Sequence, residues 1–401
     1  METRIQKHKD TKDKEKIVKS DIKGIPDRKK GKVDFILLGI VIIIALFGMY
    51  MVLSTTYYNN LVNGVSPYKT FLKHCVFFVV GLVIMGLFII MDDYTWLMSH
   101  QWVIWGLSLA MLAAVLIFGR TTNGAGRWIS LFGLTIQPSE FAKYMVVIVL
   151  AAYIHKNPYI SAGDGKRKAV SGWRQYLLML IIIVLPAGLI VLEKALSMTA
   201  VLVLTCMIMM ILSGIDMMKV GITALGALAG IVVFVIKEPW RLTRIIEFLR
   251  WKFGMPVDLS ENILQSVQST YAFGAGGLTG RGMVESRQKF KFLPMSESDF
   301  ILSIIGEEFG FIWIVVLVIL YALLMIRGIH IAAHARCRFG GYLALGITLI
   351  FTLQTLVNMF VATTLFPVTG QALPLISQGG SSLISHMGAM GLLLNISRET
   401  T

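Results

Sequence analysis

Cysteine is almost missing from this chain: three in 401 residues, at Cys75, Cys206 and Cys337. Their spacing suits neither a disulfide framework nor a thiolate metal site, so neither organises the fold. The seven histidines form no cluster, and no Gly-x-Ser-x-Gly elbow marks a nucleophilic serine. Charge is also scarce, at 15% of residues against about 25% in soluble domains. Acidic residues are the rarer kind, 23 against 37 Lys and Arg. No nucleic-acid partner is expected.

Apolar residues fill the space: 56% of the sequence, with a mean hydropathy of +0.72. A soluble chain of this length cannot hide so much apolar surface in one core. The residues come in nearly charge-free blocks at Val33–Leu53, Phe71–Met91, Trp102–Phe118, Phe141–Ile154, Leu177–Leu192, Thr199–Leu212, Val220–Ile236, Phe300–Ile326, Gly341–Phe366 and Leu383–Leu394. Several reach the ~20 residues a helix needs to cross the hydrocarbon. In lipid the backbone must satisfy its own hydrogen bonds, so runs of this kind predict helices. The expected fold is an all-α polytopic integral membrane protein with about ten transmembrane helices.

Residues 1–33 carry twelve Lys/Arg and six Asp/Glu without apolar periodicity. They read as a disordered basic tail on the cytoplasmic side, with residues 34–398 forming one membrane domain. No signal-peptide cleavage pattern is present, so the first span is expected to stay as an anchor. Ten spans place the basic loop Lys156–Arg174, the loop with Arg327, Arg336 and Arg338, and the C-terminus inside as well. Both termini are therefore expected on the cytoplasmic side. One long connection, residues 237–299, falls outside, between helices 7 and 8. It holds nine Lys/Arg, seven acids, and aromatics (Phe248, Trp251, Phe253, Tyr271, Phe273, Phe290, Phe292) that give it apolar material to pack. Tolerance of charge in a long loop and an anionic ligand at the outer face both account for its cations.

Asp299 ends that loop, directly before the apolar run at Phe300. It suits a helix N-cap or a general base at the membrane surface. Glu307 and Glu308 interrupt the following span, and Glu140 and Lys143 share a helix face and could pair. Glu193 and Lys194 stand at a span end, where snorkelling accounts for them. His386 reads as a packing or hydrogen-bonding residue. Glycine clusters at residues 273–282 and 377–382 allow close backbone approach to a ligand.

Taken in order, Asn123-Gly-Ala-Gly-Arg-Trp-Ile129, Gln137-Pro-Ser-Glu-Phe-Ala-Lys143, Gln265-Ser-Val-Gln-Ser269 with Ala272-Phe-Gly-Ala-Gly-Gly277, Gln288-Lys289, Phe292-Leu-Pro294, Ser298-Asp-Phe300, Gly306-Glu-Glu-Phe-Gly310 and Pro374-Leu-Ile-Ser-Gln-Gly-Gly-Ser-Ser-Leu383 resemble the FtsW/RodA/SpoVE (SEDS) family. The resemblance runs from about Val33 to Arg398, and the chain's end looks more like the division or sporulation branch. Glu297-Ser298 stands where His-Thr is common, Gln378 where Tyr is frequent, and Lys194-Ala195 where Pro-Asp is common. The resemblance implies a peptidoglycan glycosyltransferase that polymerises lipid II, a disaccharide-pentapeptide on undecaprenyl pyrophosphate. It also implies a class B penicillin-binding transpeptidase as partner and a bacterial cytoplasmic membrane as location.

By the same resemblance Asp299 is the essential loop aspartate and the expected base. Arg127, Trp128, Glu140, Lys143, Gln268, Ser269, Ser381 and Ser382 are expected to line the substrate. Arg127, Lys143, Arg244, Lys289 and Lys291 are unranked candidates to hold the pyrophosphate. No metal ligands are identified; a divalent cation remains an option. A lipid II flippase is the alternative function, and a non-catalytic scaffold for a transpeptidase a third.

Overall fold

The computed structural model describes residues 31–122, 125–131, 134–157, 173–258 and 260–399. The basic tail, most of the loop after Lys156, and Asn123 and Gly124 of the first motif lie outside them. Each apolar block becomes a helix: α1 (Phe35–Val62), α2 (Lys69–Ile90), the single turn α3 (Trp96–Ser99), α4 (Gln101–Phe118), α5 (Pro138–Lys156), α6 (Trp173–Leu192), α7 (Leu196–Leu212) and α8 (Met217–Lys237). The long connection contains α9 (Pro239–Lys252) and α10 (Glu261–Gly276). It is followed by α11 (Ile301–His334), α12 (Arg338–Ala362) and α13 (Gly380–Ser397). Among the described residues seven helices (α1, α2, α4, α6, α8, α11, α12) are long and apolar enough to cross a membrane.

The other long helices explain themselves by position. α5 and α13 are buried along most of their lengths, so protein rather than lipid surrounds them, and polar residues are tolerated there. α13 packs along α2, and α5 against α4, α12 and α13. α8 is the opposite case: only Lys219 and Val220 are buried. Its glycines at 221, 226 and 230 touch nothing outside their own helix.

A small antiparallel sheet qualifies the all-α expectation. β1 (Arg120–Thr122), β2 (Ala125–Leu131) and β3 (Leu134–Ile136) pair in the order β1-β2-β3. Threonine, isoleucine and tryptophan favour such a ribbon. It carries Arg127 between α4 and α5.

Part of each glycine cluster serves close packing within the chain itself. α11 breaks at Gly310 (φ 79°, ψ −178°). The segment after α10 fills the break: Arg281 N donates to Glu307 O (3.0 Å), Gly282 N to Glu308 O (3.0 Å), and Phe311 N to Gly277 O (2.9 Å). A Cβ on Gly276 would strike Gly306 O, and one on Gly310 would strike Gly280 N. Backbone meets backbone there, which only glycine permits. Gly380 likewise makes room for the Phe77 ring. The loop aromatics depart from expectation too. Phe248 is buried, but Phe253, Tyr271, Phe290 and Phe292 are exposed.

Candidate active site

Asp299 sits in a turn clamped from three sides. Asn358 of α12 donates its amide to Asp299 O (2.8 Å) and to Gln371 O (2.7 Å). The Ser377 hydroxyl donates to Ser298 O (2.5 Å), and Gln378 N to Glu297 O (2.9 Å). A Cβ on Gly370 (φ 71°) would come 3.7 Å from Asp299 Oδ2, so the 370–378 segment runs beside the carboxylate. The N-cap of α11 is Phe300, without a side-chain cap bond, and Asp299 is therefore not spent on capping. Its carboxyl is half-buried and enters none of the ion pairs of the described residues. Burial lifts its pKa from 3.8 to about 6, and Glu297 adds to the rise; the Ser298 hydroxyl, Arg127 and Arg244 pull the other way.

Arg127 and Arg244 lie near this carboxylate, Arg241 adjoins Arg127, and all three guanidiniums are held by neutral carbonyls. Arg127 Nε donates to Glu193 O (2.9 Å), and its Nη2 to Lys194 O. Arg241 Nη2 donates to the same Lys194 O (3.2 Å), and Arg244 Nη1 to Val368 O (2.9 Å). Lys194 adopts φ 63°, an uncommon left-handed conformation for a residue with a Cβ, and its carbonyl lies between two arginines. Carbonyl partners fix a guanidinium without cancelling its charge. Burial lowers the pKa of all three; Arg127 lowers those of Arg241 and Arg244 further, and Arg244 that of Arg241. Asp299 raises those of Arg127 and Arg244. Such a cluster is built for an anion.

Glu193 corrects the snorkelling expectation. It is 1% exposed, and neither carboxyl oxygen makes a hydrogen bond of good geometry. Burial raises its pKa to about 7, only partly offset by the nearby Ser139 hydroxyl and Arg127.

The remaining expected residues divide sharply. Lys289 is 2% exposed, ion-paired with Glu308 (2.7 Å) and bonded to Ser54 Oγ (3.2 Å) and Val284 O (2.6 Å). Its charge is used inside the fold, so it is withdrawn as a pyrophosphate ligand. Lys143 is withdrawn for the same reason: it is buried between Glu140 (2.5 Å) and Gln354 (2.7 Å). Gln354 lies one turn from Asn358 on α12, which places this pair about 6 Å beneath the Asp299 clamp along the helix. Ser269 donates to Ala362 O (2.6 Å), Ser381 accepts from Gln137 N (2.9 Å), and Ser382 shares a bond with His386 Nδ1 (3.2 Å). All three are buried; Ser269 and Ser381 fasten separate elements together, and Ser382 bonds within α13. Gln268 and Trp128 are half-buried, and Lys291 is exposed. His386 stacks edge-on to Tyr144 and Phe351, a packing residue.

Arg241, Asn358 and Ser377 were not among the expected site residues. A lone amide or hydroxyl beside an apolar run was the available signal. Among the described residues no three His, Cys, Asp or Glu side chains gather as metal ligands.

A half-buried carboxylate in no ion pair among the described residues can accept a proton, while the adjoining guanidiniums of Arg127 and Arg244, with Arg241 next to Arg127, hold a neighbouring anion. Known proteins share the frame. A relative in Trichlorobacter lovleyi, named a probable peptidoglycan glycosyltransferase FtsW, is 34% identical over 368 residues, covering 91% of this chain and 93% of its own. The stage V sporulation protein E of Bacillus subtilis is 33% identical over 92% of this chain and 98% of its own. A solved chain from a peptidoglycan synthase complex, described for its coordination of polymerization and crosslinking, superposes with a TM-score of 0.70 at 25% identity, covering 92% and 98%. Because the profile of the FtsW/RodA/SpoVE cell cycle proteins also matches residues 34–401, the chain belongs to that family.

Proposed function

We propose that this protein is a peptidoglycan glycosyltransferase that polymerises lipid II at the outer face of a bacterial cytoplasmic membrane, in division or sporulation. The observation that carries this reading is the Asp299 carboxylate, in no ion pair among the described residues, beside Arg127 and Arg244, with Arg241 sharing the Lys194 carbonyl with Arg127. Asp299 accepts the proton of the acceptor sugar's 4-hydroxyl as that oxygen attacks the donor's anomeric carbon. The bond to the undecaprenyl pyrophosphate breaks on the opposite side, so an α-linked donor gives a β-linked glycan in one inverting step. No covalent nucleophile is required. The departing pyrophosphate takes up negative charge, and the guanidinium cluster stabilises it without reorganising.

With a pKa about 6, Asp299 is charged at neutral pH yet basic enough to share a proton, the range in which general bases are most effective. The cation excess of residues 1–33 and of the 156–174 and 327–338 loops supports cytoplasmic termini, which puts Asp299 on the outer side. A class B penicillin-binding transpeptidase that crosslinks the new strand is the proposed partner, supported by the solved relative's place in a peptidoglycan synthase complex.

The flippase reading draws on the intramembrane Glu140–Lys143 pair, but that pair is fully buried and neutralised at 2.5 Å. The two functions separate in detergent, where there are no compartments to cross. Purified protein given lipid II should produce glycan polymer there. Flipping in vesicles with no polymer under either condition would overturn the enzyme.

A further inference from the structure

The helix that carries two of the three arginines has a second face left exposed among the described residues. Leu242, Ile246, Leu249 and Phe253 follow one another at i, i+4, i+7 and i+11 along α9 and its C-cap, 41%, 40%, 45% and 73% exposed. That spacing puts them on a single stripe. The opposite face holds Arg241, Arg244 and the buried Phe248. At 14 residues α9 is about 21 Å long, too short to cross a bilayer.

Its attachments fix its level. One residue, Glu238, separates it from the end of the lipid-exposed α8. Arg241 is tied to Lys194 O between α6 and α7. Arg244 is tied to Val368 O, and Lys252 to Thr364 O (2.7 Å), both just past the end of α12. Every anchor lies where a long helix ends, at the boundary of the apolar zone. Trp240 is 44% exposed at the start of α9, and Arg250 and Lys252 are exposed at its end. Aromatic and basic residues flanking an apolar stripe are the composition of helices that lie in a lipid interface.

We propose that α9 is an interfacial helix seated in the phospholipid leaflet on the Asp299 side, with its Leu242–Ile246–Leu249–Phe253 stripe at the acyl boundary, so that Arg241 and Arg244 meet an anionic headgroup at the depth where a membrane-anchored lipid carries it. The leaflet is the occupant favoured here because the stripe continues the exposed apolar surface of α8 without a break in the chain. The seating of the helix stands on geometry alone; its service to the substrate rests on the glycosyltransferase reading.

A photoreactive benzoylphenylalanine placed at Leu249, and separately at Leu242, tests the seating in full-length protein. The protein is embedded in nanodiscs of phosphatidylglycerol and phosphatidylethanolamine, with the same probe at the buried Phe248 as reference. Irradiation should give phospholipid adducts at 242 and 249, at least tenfold more than at 248. Adducts to a second copy of the chain, or no adduct, would overturn the seating. A Leu242→Gln/Leu249→Gln variant tests the service. In nanodiscs its half-saturating lipid II concentration should rise about tenfold, from weakened apolar contact of two side chains, with kcat within twofold. Lipid adducts with unchanged half-saturation would overturn the delivery role. A wild type that makes no glycan would instead overturn the activity reading while leaving the adducts as proof of the seating.

Discussion

Two charged regions lie within three turns of each other at the start of α11, and the chain treats them oppositely. Around Glu307 and Glu308 every charge is matched. Glu307 accepts from Ser286 Oγ (2.5 Å), Arg287 N (3.0 Å) and Gln288 N (3.2 Å), with Arg281 at 3.4 Å. Glu308 holds Lys289 and Ser54. Around Asp299 the charges are left open: three arginines rest on carbonyls, and Asp299 and Glu193 enter no ion pair among the described residues. A matched buried charge fastens the long connection to the bundle. An unmatched one raises the energy of the free protein and is relieved only when something binds or reacts. The contrast assigns Lys289 to architecture and Arg244 to the site, although both are cations of the same loop.

Breaking the matched region should have the largest effect. Lys289→Ala leaves Glu308 buried and unpaired and should cost about 3–5 kcal/mol of stability. Thermal unfolding followed by size-exclusion chromatography reads this directly, and Lys289→Met/Glu308→Leu should recover most of the loss. If Lys289→Ala kept full stability but lost activity, the assignment would be reversed. In the open region, Arg127→Ala and Arg244→Ala should each lower kcat/KM about 100-fold in lipid II polymerisation, as expected for a lost charged contact to developing anionic charge. Their melting temperatures should hold or rise, since no paired carboxylate is orphaned.

Acidity sharpens the contrast further. Asp299 must be charged to accept a proton, so activity should fall as pH drops through about 6. Glu193 charges only as pH rises through about 7, adding negative charge near Arg127. Glu193→Gln removes that charge and should move the acid limb downward by roughly a few tenths of a pH unit, as coupled groups do. An unmoved pH profile would separate Glu193 from the site. The smallest effect belongs to Lys291, exposed and outside the Asn358–Ser377–Gln378 clamp, whose change to Ala should alter the rate less than about twofold.

The helices were legible because lipid permits few backbone solutions, and each apolar block became one. Asp299 was legible because a carboxylate directly before an apolar run is costly without a purpose. The ranking of cations was not, since a linear sequence does not say which lysine finds a glutamate: Lys289 and Glu308 are nineteen positions apart and meet through the folding of the intervening loop against α11. The glycine clusters announced close approach but not its partner, which is the chain's own backbone. Glu193 looked like a span-end residue reaching for water. The turn through Lys194 (φ 63°) accompanies its burial instead, a conformation that composition gives no hint of.

The central claim concerns a single side chain, and one rate measures it. Asp299→Asn keeps the size and the backbone clamp of the site but cannot accept the proton. Its lipid II polymerisation in detergent at pH 7 should fall by about 10²–10⁴-fold, the contribution of a placed general base. Its thermal stability should be unchanged or higher, because a half-buried charge with a raised pKa has been removed. A stable Asp299→Asn protein that polymerises lipid II at the wild-type rate would contradict the account.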